Sequence, residues 1–341
     1  MIFSLYTRQA APLAGLAFLV SSFAAQAACT GKNAAETLRQ TDPATYSAIA
    51  ETANQTANGE GILWRVDAPD AAPSYLFGTK HTIDRDITTL IAPVQEIIRN
   101  SRLLMVELSP DERADMTAAM QSDPTIIFDM TGGTIEAFLP PNLIPEATAV
   151  FAQYGLPFDA AKRMRPWFLQ MAMSLPPCAV ALQPADQTKV MDNILAQTAL
   201  DAGVAVQGLE QWEDQMAFFQ HMSDHDAKAG LIFMIENFAA KADEHQAVSD
   251  LYDQRQIALI WEFSRWQFVN SDYDFETNAE DTFAELERAL LTDRNRLMAE
   301  NSVAEVARGG VVIAVGALHL IGESGLVAAF KREGYNVTRM D

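Results

Sequence analysis

Basic residues are scarce in this chain: 24 lysines and arginines stand against 45 aspartates and glutamates, a formal net charge of -21. Such a balance argues firmly against nucleic acid or an anionic membrane as partner, since both would be repelled. Cysteine is scarcer still. Cys29 and Cys178 are the whole complement, and their spacing rules out a CxxC-type metal site. Beyond the N-terminal stretch no apolar run approaches the roughly 20 residues that span a bilayer, so no transmembrane segment is expected. The sequence also lacks a GxSxG elbow, an HExxH helix, a Walker A loop and a GxGxxG turn. Covalent and nucleotide-dependent chemistry therefore find no support. Histidine occurs only five times, so the place of each one is informative.

The N-terminus has the pattern of a leader. Arg8 is the only charged side chain before an apolar stretch from Leu13 to Val20, which runs through Ser21-Ser22-Phe23 to Ala25-Gln26-Ala27. A short apolar region ending in a small-x-small site is a secretory signal peptide. Cleavage is expected after Ala27, leaving residues 28–341 as a periplasmic or secreted domain. An acylated Cys29 is the less favoured reading, because Gln26 stands where a lipobox has leucine. In an oxidising compartment two cysteines pair, so a Cys29–Cys178 bridge is expected.

One local pattern occurs twice. Tyr75-Leu76-Phe77 leads into Gly78-Thr79-Lys80-His81, and Val311-Val312-Ile313-Ala314-Val315 leads into Gly316-Ala317-Leu318-His319. Each copy is a β-type run, a glycine expected at a tight turn, and a histidine three residues on. Each is followed by a helix-like segment and a further apolar run, Leu103 to Leu108 and Tyr335 to Met340. Ile62 to Val66 and Ser74 to Phe77, separated by Asp67-Ala68-Pro69-Asp70, predict a hairpin. Apolar spacing at Ile87, Leu90, Ile91, Val94, Ile97 and Ile98 predicts a helix. Val204-Ala205-Val206 is another short strand. Residues from about 110 to 300 are otherwise mainly helical, with the acidic stretch Asp272 to Glu287 as a loop and a solvated helix face. The expected class is α/β (α+β): a central mixed sheet built from the two strand-GxxH-helix-strand units, with a large helical insertion between them.

Two imidazoles at strand ends plus a carboxylate are the minimal equipment for a divalent ion. His81 and His319 are the candidate imidazoles. Glu107, ending a buried strand, is costly there unless paired or metal-bound; the bland alternative is a salt bridge to Arg102 or Arg165. Glu210, in Gly208-Leu209-Glu210, has the same form, with an N-cap or first-turn carboxylate of the following helix as its alternative. Arg294 is a candidate for stabilising developing negative charge, or equally a buried ion pair with Glu210. His221 and His225, four residues apart around Asp224, resemble an inverted zincin pattern, but their polar surroundings indicate solvent. His245 also lies in a polar stretch.

An ordered set of motifs then resembles the TraB/GumN family, related to the TIKI metalloproteases. The matching segments are Gly59-Glu60-Gly61 with Leu63-Trp64-Arg65, Leu76 to His81, Val106-Glu107-Leu108, Arg165-Pro166-Trp167, Leu175-Pro176-Pro177-Cys178, and Gly208-Leu209-Glu210 with Gln215. Further on come Arg294-Asn295 with Met298-Ala299, Val315 to Leu320, Gly322 with Gly325-Leu326, and Gly334 to Val337. The resemblance implies an exported metal-dependent hydrolase of peptide or protein substrates. Its divalent ion, Mn, Co or Zn, would lie between His81 and His319, with Glu107, Glu210 or both as oxygen ligands, or one of the two as general base, and with Arg294 beside them. Two other roles are implied: by the wider fold group, a haem- or iron-binding protein of the ChaN type, and by the GumN-like branch, a non-catalytic envelope or polysaccharide-assembly factor. Lys80 departs from the family's usual apolar residue before the first histidine. A cation there weakens metal binding unless it points away or pairs with Glu107 or Asp84.

Overall fold

A computed structural model describes residues 29–341 apart from 84, 86 and 181–183. The expected leader, residues 1–27, lies outside them, as does Asp84. Six strands form one sheet: β1 (Leu63–Asp67), β2 (Ser74–Thr79), β3 (Leu103–Val106), β4 (Ala205–Gly208), β5 (Val311–Gly316) and β6 (Asn336–Arg339). Their order is β4-β3-β5-β2-β1-β6. Strands β4, β3, β5 and β2 are parallel neighbours, and β1 pairs antiparallel with both β2 and β6. The mixed sheet and the β1–β2 hairpin agree with the sequence expectation.

The pleat explains why β5 is apolar at every position. Successive side chains point to opposite faces, and both faces are covered. Val312 and Ala314 join a core with Ile91, Val94 and Ile98 of the helix Thr88–Arg99 and with Met191, Leu195 and Ala199 of the helix Met191–Asp201. Val311, Ile313 and Val315 join a second core with Met298 and Val306 of the helix Asp293–Arg308 and with Leu326, Val327 and Phe330 of the helix Leu326–Arg332. A strand buried on both faces reads as a continuous hydrophobic run. The insertion has smaller cores of its own, one around Phe151, Leu169 and Leu231 and one around Trp167 and Met216.

These two layers position the site. From β2 the chain crosses to β3 through the helix on the first face. From the adjacent β5 it leaves towards β6 through the helix on the second face. Where neighbouring parallel strands send their connections opposite ways, a crevice opens at their C-terminal ends. His81 follows β2 and His319 follows β5, so both lie at that crevice.

Cys29 and Cys178 form the expected disulfide, with Cα atoms 5.3 Å apart. The residue after Cys178 reaches the first histidine turn, because Ile83 N–H donates to the Ala179 carbonyl at 3.1 Å. No helix among the described residues is long and apolar enough to cross a membrane.

Candidate metal centre

Four consecutive parallel strands each deliver one residue to the crevice. In spatial order β4 leads to Glu210, β3 to Glu107, β5 to His319 and β2 to His81. The sequence thus named one residue from each strand end, and the topology makes them neighbours.

Glu107 is the hub. Its Oε1 lies 3.9 Å from His81 Nε2 and 3.7 Å from His319 Nε2, and it accepts the Gly316 N–H at 2.7 Å. Its Oε2 accepts from Arg294 Nη2 at 2.9 Å and from Gln215 Nε2 at 3.3 Å. Glu210 sits behind it. Arg294 grips Glu210 in a fork, Nε to Oε1 and Nη2 to Oε2, both at 2.7 Å, and Gln215 adds a bond at 3.1 Å. Both oxygens of Glu210 are therefore engaged, and the carboxylate serves to hold Arg294. Arg294 Nη1 also donates to the Leu290 carbonyl at 3.4 Å, inside the π turn Arg288–Thr292 that precedes its helix. Its N–H groups are almost all committed, so the ion-pair alternative for Arg294 is the observed one. Arg102 instead pairs with Glu305, and Arg165 donates to the Thr125 carbonyl; neither serves Glu107. Gln211, not Glu210, caps the following helix.

Each imidazole is also held on its far side. His81 Nδ1 lies 2.7 Å from Asp192 Oδ2, and His319 Nδ1 lies 2.7 Å from Asn295 Oδ1. Sequence reasoning missed Asp192 as a site residue. Its only local signal is that it is the one acid in the first turn of the helix Met191–Asp201. Asn295 and Gln215 stood among the motif positions without a role.

Charge and burial pull the groups apart. The negative charge of Asp192 raises His81 to about 9 against the opposing effect of desolvation. For His319 desolvation dominates and lowers it to about 4. Desolvation pushes Glu107 up, but positive charge at His319, His81 and Arg294 and the Gly316 N–H together hold it down at about 2. His319 is uncharged at neutral pH, which leaves His81, Arg294 and Gly316 to keep Glu107 ionised. Asp192 too is lowered, its desolvation outweighed by His81.

The remaining expectations fall into place around this hub. The two glycines do not make tight turns: neither has a positive φ, and Gly78 lies inside β2. A Cβ on Gly78 would stand 2.9 Å from Ala317 Cα, so its smallness admits the second histidine turn. A Cβ on Gly316 would lie 3.3 Å from Glu107 Oε1, 3.4 Å from His81 Nε2 and 3.5 Å from His319 Cδ2. Lys80 points away from Glu107. Its Nζ donates to Ser249 Oγ at 3.2 Å and lies 5.5 Å from the Tyr252 ring centroid. His245 is buried beside Ser249 rather than solvated, because the helix Lys241–Asp253 turns that side inward. His225 is exposed as expected, and the His221 side chain lies outside what is described. His225, Asp226 and Glu276 bring ligand atoms within 4.8 Å of one another at the surface. There His225 lies 3.5 Å from both Asp226 and Asp274, ordinary surface ion-pair geometry.

The model of the TraB/PrgY/gumN family matches residues 62–339. The chain belongs to that family. Comparison with curated proteins and with solved structures returns no match. In this TraB/PrgY/gumN chain the matched span includes every residue of the crevice.

The donor types, two imidazoles and a carboxylate, are those that would hold a divalent ion. Ligand atoms about 2.0–2.2 Å from one ion stand roughly 3–3.5 Å apart. The separations around Glu107 Oε1, 3.9 and 3.7 Å, are longer. Among the described residues only the surface group His225, Asp226 and Glu276 brings three such atoms within 4.8 Å of one another, so His81, His319 and Glu107 would have to draw together around an ion. The hollow that a Gly316 Cβ would fill is bounded by the same groups. Two imidazoles and a carboxylate select first-row ions over magnesium.

Proposed function

We propose that this chain is an exported, metal-dependent hydrolase acting on peptide bonds. The observation that carries the reading is the convergence of His81 Nε2 and His319 Nε2 on Glu107 Oε1, over a hollow kept open by Gly316. These three side chains would hold the ion. A divalent ion in such a site supplies Lewis acidity, polarising a carbonyl and activating water. The protein's own part is to keep Glu107 anionic and still. Arg294 and Gln215 fix its Oε2, Gly316 fixes its Oε1, and Glu210 keeps Arg294 in place. The peptide bond as substrate follows from the resemblance to the TIKI branch, and the disulfide supports an oxidising compartment. A bare ion is favoured over haem, because a haem needs a broad apolar slot, whereas Glu107, Glu210, Arg294 and Gln215 crowd this crevice with polar groups.

The test is metal content and peptide hydrolysis of untagged protein, before and after chelation and with Mn, Co, Zn or Mg restored. Activity is expected to vanish with chelator and return with Mn, Co or Zn ahead of Mg. Glu107→Gln keeps size and loses charge. It should cost more than the roughly 10–100-fold of an outer-shell change, while His225→Ala leaves turnover intact. Stoichiometric haem binding with a Soret band and no cleavage under any metal would sink the reading.

A further inference from the structure

Asp192 and Asn295 have no task in the function just proposed, yet each touches an imidazole at the nitrogen facing away from Glu107. We propose that the two are positioning residues: they present both Nε2 atoms to one ion, and their unequal charge makes the two imidazoles unequal donors. This rests on the metal reading above.

Asp192 is fixed by the strand whose histidine it serves. Its Oδ1 accepts from Thr79 Oγ1 at 3.0 Å, at the end of β2, while Oδ2 faces His81 Nδ1. A carboxylate only accepts, so His81 must carry a proton on Nδ1, and the ion-facing position falls to Nε2. Asn295 is built differently. An amide can accept from an N–H or donate to a bare nitrogen, and only the first arrangement leaves the lone pair on Nε2. Its Oδ1 faces the ring, and its Nδ2 is buried with no partner among the described residues. The amide thus gives His319 direction without charge.

The inequality follows exposure. The His81 side chain is 52 % open and that of His319 6 %. Water competes for an ion at the open ligand, and an anionic partner raises the basicity of that ligand. Behind the enclosed His319 a second carboxylate would add a buried charge that nothing there offsets.

Two measurements on the purified full chain test this: calorimetric titration with Zn2+ and Mn2+, and 15N NMR of the histidine rings in ion-free protein. Asp192→Asn keeps size and an acceptor oxygen, and is expected to weaken ion binding about 10–100-fold, scored on protein whose ring spectra show it to be folded. Asn295→Ala should turn the His319 spectrum from a single Nδ1–H tautomer into a mixture, and Asn295→Asp should restore the single tautomer. Affinity unchanged in Asp192→Asn overturns the charge assignment. A His319 tautomer indifferent to Asn295→Ala overturns the positioning role. If wild type binds neither ion the metal reading fails, and the ring spectra alone then decide whether Asn295 positions His319.

Discussion

His81 stands at the open side of the crevice, on a coil beside a carboxylate and two residues before a bond to the disulfide-held segment. His319 lies in a buried 3-10 turn, Ala317–His319, beside an amide. Their sequence contexts are nearly the same, Gly-x-x-His after a β run. Their glycines differ as well, since Gly78 makes room for another piece of backbone and Gly316 for the space between donors. A repeated motif thus fixed where each histidine leaves the sheet. The packing around each copy decided what the histidine became.

Removing the disulfide should separate the two turns most. In the chain-entropy account, closing a loop across a sequence separation of 149 stabilises by about 5 kcal/mol. Reduction, or Cys29→Ser with Cys178→Ser, is expected to lower the denaturation midpoint and to speed amide exchange at Ile83. The Leu320 amide, bonded to Ala317, should keep its protection until global unfolding. Equal loss at both amides would show that the strap does not single out the first turn.

Next in size is the pair behind the second turn. The Glu210 side chain is fully enclosed against Arg294, and breaking a buried pair from one side costs about 3–5 kcal/mol. Arg294→Met should show that loss in urea unfolding, and adding Glu210→Gln should recover part of it. A cost below about 1 kcal/mol, the range of an exposed pair, would mean that the pair is solvated in solution.

The smallest effect is the pH dependence of the ion-free protein, where the two histidines act with opposite sign. His319 is lowered from 6.5 to about 4, so between those values the unfolded chain binds the extra proton and stability rises with pH. His81 is raised from 6.5 to about 9. Its contribution is fully present below pH 6.5 and is lost as pH rises through 9, and it is reduced by solvent because the ring is half open. Stability should therefore peak near pH 6.5 in unfolding series. His319→Asn should flatten the acid limb and His81→Asn the alkaline limb. A single slope across the whole range, or both limbs surviving both substitutions, would contradict the assignment.

The centre of the sheet was legible because β3 and β5 are continuous apolar runs, and because β5 carries both faces of the core in one segment. The four strand-end residues were legible by position: His81, Glu107, Glu210 and His319 each stand just beyond a β-type run. What surrounds them was not. Asp192 reaches His81 across 111 residues, and Asn295 comes to His319 from a helix that also contributes to the core. Helix side chains that turn inward carry no local mark of their partner. His245 shows the converse, since a polar helical segment looked solvated and was covered by tertiary packing. The glycines were found, but the tight turn was the wrong reason for them.

Gly316 has φ -50° and ψ 136°, values open to any L-residue. Its backbone therefore asks for no glycine, and the hollow is defined by a methyl that the chain omits. An alanine there would meet Glu107 Oε1 at 3.3 Å and His81 Nε2 at 3.4 Å, contacts the fold can accommodate, and would take up space between the proposed donors. If the chain has the proposed activity, its loss by inheritance would then need neither a lost histidine nor an unstable protein, only one added carbon. On the proposed metal reading, a relative with both histidines and Glu107 intact but a side chain at this position would keep every proposed ligand and lose the room for the ion.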